Sequence, residues 1–293
     1  MISINNGKWI RVEIIRQSGI EIILPYALIA CLSMLSYDLA NVYYYESHRM
    51  STDYNHIFNQ HWTIYQKILQ HDYMGHQAVF GLLEGALVTH FPDQSLDLLD
   101  IGCGDAQTLA AFLQTSTLQS YTGIDLSKEA LELVPKNVGS LNCAVTLMND
   151  DFVAAIEQLT QEQVGQFDVI FSGFALHHVQ DETKAKLFAK IKQLLKPHGR
   201  FYLIDVYQQE NETRETYLDR YLAPTFTHWH ALDEHETALL NTHVRSSDFP
   251  STRTKLESMA FDVGFTNCEC LLADPIHSNI LLSMGKYYHS ILI

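Results

Sequence analysis

Short apolar runs alternate along this chain with segments of helical length, and that alternation narrows the possible folds more than any other feature. Runs at 98–101, 121–124, 144–148, 167–171 and 200–206 read as strands. Strands spaced by helices join through crossovers, so the expected architecture is α/β: an open, doubly wound, mainly parallel sheet with helices on both faces. Within 181–196, Leu187, Phe188, Ile191, Leu194 and Leu195 form one face, Asp181 and Glu182 open the helix and Lys190, Lys192 and Lys196 close it, the order the helix dipole favours. The basic residues from Lys184 to Lys196 read as a solvated face, and Pro197-His198-Gly199 stops the helix and turns the chain into a strand. A helix over 251–263 and strands at 268–272 and 279–284 follow.

Two regions lie outside this alternation. Phe58, Trp62, Tyr65 and Leu69 recur at helical spacing, and His76, Phe80, Leu83 and Leu87 repeat it after a break at Asp72-Tyr73. Residues 208–245 form a mostly helical insertion. Segments near 55–90 and 208–245 are therefore expected to build a helical cap, with their aromatic stripes serving as core.

The charge count, 19 Lys and Arg against 34 Asp and Glu, gives −15. Such a field repels phosphate backbones and argues against a nucleic-acid partner. Cys31, Cys103, Cys143, Cys268 and Cys270 are odd in number and scattered, which fits a reducing, cytoplasmic setting rather than a disulfide framework. Cys268 and Cys270 share one strand face with no second pair, so they read as packing and not as metal ligands. Residues 1–49 are charge-balanced, with Lys8, Arg11, Arg16 and Arg49 against Glu13, Glu21, Asp38 and Glu46. The whole net charge thus lies in 50–293. The uncharged stretch 22–37 is shorter than the roughly 20 apolar residues a spanning helix needs and contains Pro25, so membrane contact is not expected. Three readings of 1–49 stay open: an extension packed on the domain, a weak membrane-associating segment, or upstream sequence joined to a chain starting at Met50. The last is preferred, because Met50 leads directly into a helix with Ser51, Thr52 or Asp53 as its N-cap.

Open α/β sheets bind ligands at the carboxyl ends of their strands. At the first such end stands Leu99-Asp100-Ile101-Gly102-Cys103-Gly104-Asp105-Ala106, whose glycines permit a tight turn and close approach to backbone. The second strand ends in Asp125, 25 residues after Asp100, where a carboxylate can accept from both ribose hydroxyls of a nucleoside; Ser127 beside it reads as a helix cap. After the third strand, Asn149-Asp150-Asp151-Phe152 offers an acceptor for an exocyclic amine and a ring beside a base.

With these motifs the stretch from about 55 to 284 resembles a class I S-adenosylmethionine-dependent methyltransferase. The resemblance rests on Leu98 to Gly104, on Gly123-Ile124-Asp125-Leu126-Ser127, on Asp150-Asp151-Phe152, on Phe167-Asp168-Val169-Ile170-Phe171-Ser172 and on Leu194-Leu195-Lys196-Pro197-His198-Gly199-Arg200. It implies a seven-stranded sheet with the last strand antiparallel and S-adenosylmethionine as cofactor. The loop of Asp100, Gly102, Cys103 and Gly104 would face the methionine part, Asp125, next to Leu126, would hold the ribose, and Asp151, beside Asp150, the adenine amine. Ser172 would lie beneath the cofactor by its backbone, and Phe152 would either stack on the base or pack in the core. Asp105 and Ala106 depart from the family, which often has a small or hydroxyl residue and then a third glycine at these positions.

A nicotinamide oxidoreductase, which shares the strand, loop and helix, is the first rival, although Gln107 stands where its third glycine belongs. A binding protein without chemistry is the other, against which the three strand-end acids argue. The acceptor is expected to be a small molecule enclosed by the cap, with Tyr65, Tyr73, His76 and His177 facing it. No general base is assigned among the fifteen histidines, and the His-His pair 177–178 reads equally as packing. The cluster His228, His230, His235 and His243 lacks ligand spacing, and no metal is expected.

Overall fold

The computed structural model describes residues 2–4, 8–10, 62–92, 94–162 and 164–286. The chain divides into two units, Met1–Phe58 and Asn59–Ile293. In the first, β1 (Ile2–Ile4) and β2 (Lys8–Ile10) form an antiparallel hairpin. The apolar stretch 22–37, Arg11, Arg16, Cys31, Met50, the cap candidates Ser51, Thr52 and Asp53, and Phe58 lie outside the described residues.

In the second unit, a helix over 62–70 (α1) and α2 (His76–His90) precede the alternation. The elements then run β3 (Leu96–Ile101), α3 (Ala110–Thr115), β4 (Leu118–Asp125), α4 (Lys128–Val138), β5 (Ala144–Asn149), α5 (Phe152–Glu162), β6 (Phe167–Gly173) and α6 (Asp181–Leu194). After β7 (Leu195–Gln208) come α7 (Arg214–Thr227), α8 (Glu234–Ser247), β8 (Ser251–Thr252), α9 (Arg253–Asp262), β9 (Asn267–Asp274) and β10 (Asn279–Gly285). The main path of the sheet is β5-β4-β3-β6-β7-β10-β9, seven strands, with the short β8 paired to β7. β3 to β7 pair in parallel, whereas β10, the last strand, is antiparallel to both β7 and β9.

Alternation along the strands divides the core between the two faces. Leu99, Ile101, Phe201 and Leu203 meet Ile156 of α5, Leu187, Phe188 and Ile191 of α6 and Leu256 of α9. Leu98, Tyr202 and Ile204 meet Val79, Phe80, Leu83 and Leu87 of α2, Phe112 of α3 and Leu131 of α4. Each such side chain, fully buried, contributes roughly 1.5–3 kcal/mol. The helix starts carry caps: Ser127 Oγ accepts from Ala130 N, Thr213 from Thr216 N and Thr252 from Lys255 N, and Asp233 forms a capping box with Glu236.

A third cluster holds the helices of the cap together. Ile64 and Ile68 of α1 and Met74 pack with Tyr217, Leu218 and Leu222 of α7, with Trp229 and Leu232, and with Val206 at the end of β7. Both oxygens of Glu236 on α8 accept from Lys67 Nζ of α1, at 2.5 and 2.7 Å.

Three local expectations are corrected. The expected stripe of α1, Trp62, Tyr65 and Leu69, is only half-buried, because the aliphatic Ile64 and Ile68 take the core-facing side and turn the aromatics toward the strand ends. Lys184 does not sit on a solvated face: it is 1% exposed, and its ammonium donates to Phe249 O and Ser251 Oγ. Lys196 lies beyond α6 and bridges Asp97 and Asp168 at 2.6 and 2.7 Å. Pro197-His198-Gly199 forms not a separate turn but the irregular start of β7, where a Cβ on Gly199 would lie 2.9 Å from Phe167 O.

Candidate active site

The glycine loop leaves β3 with left-handed backbone at Gly102 (φ +71°), Gly104 (φ +54°) and Ala106 (φ +56°). A Cβ on Gly102 would stand 2.5 Å from Ala175 Cβ, and one on Gly104 about 3.0 Å from the Trp62 ring. The loop is therefore enclosed by the turn after β6 and by α1. Ala106 takes the conformation that a third glycine would adopt more cheaply.

Asp125 ties the loop to the end of β4. Its Oδ2 accepts from Gly104 N and its Oδ1 from Ser127 N, both at 2.8 Å. Burial raises its pKa, with those two N–H groups opposing. Each oxygen keeps a further lone pair for a ligand. Asp100 is 2% exposed; Oδ2 accepts from Tyr121 OH, Oδ1 has no partner among the described residues, and burial pushes the carboxyl up to about 7. Asp105 is buried too, accepting from Gln66 Nε2 of α1 and from Gln107 N at the start of the 3₁₀ turn Gln107–Leu109. Burial, with the charges of Asp105 and Asp125, raises the pKa of Tyr65, which places that hydroxyl among the acids.

The remaining expected cofactor residues separate by what stays free. Cys103 is buried and its thiol lies against Gly104 O, and Ser172 is wholly buried with Oγ on Ile101 O, so each can offer only backbone to a ligand. Leu126, Asp150 and Asp151 are exposed. Asp150 Oδ1 accepts from Asp151 N, and Asp151 Oδ1 caps α5 through Val153 N and Ala154 N, leaving its second oxygen outward. Phe152 is half-buried and packs on the core of that face, the second of its two expected roles.

Among the residues expected to face the acceptor, the His76 ring lies 4.8 Å from Phe174 and 5.9 Å from Tyr65, and both its nitrogens are buried without partners among the described residues. Burial lowers its pKa to about 4. Tyr73 does not stand with them. Its ring stacks on Trp229 at 5.1 Å and its hydroxyl accepts from Ala231 N, so it joins the turn before α2 to the α7–α8 connection.

His177 has partners that no spacing revealed. Its Nδ1 lies 2.5 Å from Asp205 Oδ1 on β7, and its Nε2 faces Asp248 Oδ1 at 3.8 Å. Burial opposes its cation, but the carboxylates of Asp205 and Asp248 outweigh that and raise its pKa. An acid inside the apolar run Phe201–Val206 was a visible signal for Asp205; nothing local marked Asp248, in the turn after α8. Of the other histidines, His243 reaches this group, its ring 5.4 Å from His178, whereas His228, His230 and His235 lie exposed.

A family profile described as "Methyltransferase domain" matches residues 98–199. The chain is 30% identical over 116 residues to the O-methyltransferase atr3 of Stereocaulon alpinum, covering 38% of this chain and 33% of that protein. It is 29% identical over 122 residues to the uncharacterized methyltransferase YcgJ of Bacillus subtilis, covering 42% and 45%. With the ubiquinone biosynthesis O-methyltransferase of Xanthomonas axonopodis the figures are 31% over 106 residues, 36% and 41%. In each case the match spans less than half of the relative's length. The profile match runs across the glycine loop, Asp125 and the strands that carry them, so residues 98–199 are similar to a methyltransferase domain.

Proposed function

We propose that this protein transfers a methyl group from S-adenosylmethionine to a small-molecule acceptor held beneath the helical cap. The observation that carries the reading is the cradle of Gly102 and Gly104, closed onto Asp125 by the Gly104 N–H and flanked by Asp100 and Asp105. The loop suits the cofactor by its bare left-handed backbone at Gly102 and Gly104, and in charge, since the buried Asp100 and Asp105 and the half-buried Asp125 favour a cationic ligand. Asp125 would hold the ribose by its remaining lone pairs, the outward oxygen of Asp151 the adenine amine, and the backbone of Cys103, Gly104 and Ser172 the methionine part. The bound cofactor supplies an electrophilic methyl on a sulfonium. The chain's own work is to align the acceptor and exclude water. Tyr65, Phe174 and the partnerless nitrogens of His76 are the groups placed to meet the acceptor.

The same acids weigh against a nicotinamide dinucleotide. In such enzymes the pyrophosphate rests on the N–H groups of the helix after the loop. Here Asp105 already accepts from Gln107 N at that point. The charge of −15, with Asp100, Asp105 and Asp125 around the loop, also disfavours nucleic-acid acceptors, in keeping with a small molecule. No helix among the described residues is long and apolar enough to cross a membrane.

Calorimetry with S-adenosylhomocysteine and with NADH, followed by methyl-labelled cofactor in a metabolite extract, tests the reading. Saturable binding of the first alone, with label in small molecules, is expected. Binding of NADH alone transfers the assignment to an oxidoreductase, and label confined to RNA or protein removes the small-molecule acceptor.

A further inference from the structure

We propose that His177, His178 and Asp248 form a site for one divalent transition-metal ion of the zinc class, with Asp205 as the outer residue that orients His177. Three side chains from two separate turns converge there. His177 and His178 come from the 3₁₀ turn Leu176–His178 after β6, and Asp248 from the turn that ends α8. Asp248 Oδ1 lies 3.8 Å from His177 Nε2 and 3.6 Å from His178 Nδ1, and the three ligand atoms all fall within 4.8 Å of one another.

These separations are too long for hydrogen bonds. The two distances to Asp248 lie near the spacing of roughly 3.3 Å between neighbouring ligands of a tetrahedral ion with bonds of about 2.0–2.1 Å. Asp248 is the independent sign of a missing partner. It is 2% exposed, and its Oδ1 has no hydrogen-bond partner among the described residues. The turn is held in place by other groups: Arg214 Nε donates to Asp248 O, and Phe249 N donates to His177 O.

His177 shows the outer-sphere arrangement common to metal-bound imidazoles. Asp205 takes Nδ1, which leaves Nε2 as the atom directed at Asp248. Lys184, the nearest buried cation, is committed to Phe249 O and Ser251 Oγ. His178 is partly exposed and supplies the way in from solvent; its Nδ1 also lies 3.4 Å from Ser247 O, a long contact that binding of the ion would replace. Three protein ligands of the two-nitrogen, one-oxygen kind leave a position for water or for an oxygen of a bound small molecule. The site adjoins the cofactor cradle, because Ala175, two residues before His177, packs on Gly102. The inference does not depend on methyl transfer.

Co²⁺ titration of the chelator-treated full chain, followed by its visible d–d absorption, tests this directly. One equivalent is expected to bind with the intense bands of a four- or five-coordinate ion, and Zn²⁺ to displace it. Asp248→Asn should abolish those bands, while Asp205→Asn should weaken binding about 10–100-fold without changing the stoichiometry. Circular dichroism and S-adenosylhomocysteine binding report whether each variant is folded. The half-buried thiols Cys268 and Cys270 are the rival acceptors; a thiolate charge-transfer band, or binding lost in the Cys268→Ser/Cys270→Ser double variant, overturns the proposal. So does uptake that is undiminished in folded Asp248→Asn, or no saturable uptake by the parent protein.

Discussion

His76→Phe separates the cost of burying an imidazole from its use. The ring is 5% exposed, its nitrogens have no partners among the described residues, and burial holds its pKa at about 4 against an ordinary 6.5. The folded protein therefore resists a proton that the unfolded chain takes up below pH 6.5. Stability from this group is fully present above that pH and falls as pH drops toward 4. The complete shift corresponds to roughly 3 kcal/mol, most of which is lost by about pH 4.5. Phenylalanine keeps the ring contacts with Tyr65, Phe80 and Phe174 and removes both orphaned nitrogens. Urea unfolding of both proteins from about pH 7.5 to about pH 4.5 should show the variant at least as stable at the upper end, with an advantage growing by roughly 2–3 kcal/mol toward the lower. If the two acid limbs run parallel, His76 is solvated and the reasoning fails. If the proposed function holds, the same variant should bind S-adenosylhomocysteine normally yet lose turnover, since His76 contacts Tyr65 and Phe174 and no residue of the glycine loop.

Gly102→Ala should cost on the order of 2 kcal/mol or more and weaken cofactor binding, because left-handed backbone alone costs an L residue about 1–2 kcal/mol and the new methyl meets Ala175 at 2.5 Å. Adding Ala175→Gly should recover the part due to the clash, and no recovery in denaturant melts would place the whole cost in the backbone. Lys184→Met leaves Phe249 O and Ser251 Oγ buried without their donor and should destabilise by about 1–3 kcal/mol; a variant as stable as the parent would return Lys184 to the solvated face that the sequence suggests.

The sheet is legible in the sequence because strands buried on both faces leave uninterrupted apolar runs, and because Ser127 signals the helix start after the second parallel strand. The cofactor side is legible for a related reason. Gly102, Gly104 and Asp125 lie at a strand end or within three residues of one, where the geometry is local. The acceptor side is assembled over long separations. Asp205 and Asp248 reach His177 from 28 and 71 residues away, and Lys184 meets Ser251 across 67. Periodicity carries no trace of such pairings, and for α1 it selects the aromatic stripe over the isoleucines that face the core. Tyr73 shows the same limit: its hydroxyl suits a ligand as well as it suits Ala231 N, 158 residues on.

One helix spans both sides of the site, and its attachment governs them jointly. α1 carries Trp62 against Gly104, Gln66 on Asp105 and Tyr65 beside His76. It is fixed to the cap by Ile64 and Ile68 and by the ion pair of Lys67 with Glu236. Lys67 is 36% exposed in that pair, so Lys67→Met should cost at most about 1 kcal/mol of global stability. Glu236 keeps its capping role on α8 through Asp233, so α8 itself should not fray. What changes is the hold on α1, the helix that must move if ligand is to pass Trp62. Release of S-adenosylhomocysteine, followed by stopped-flow displacement, should therefore quicken several-fold in Lys67→Met while its melting temperature shifts by only a few degrees. An unchanged release rate would mean that Trp62 does not gate the cradle. A loss of several kcal/mol would mean that the ion pair supports the fold itself.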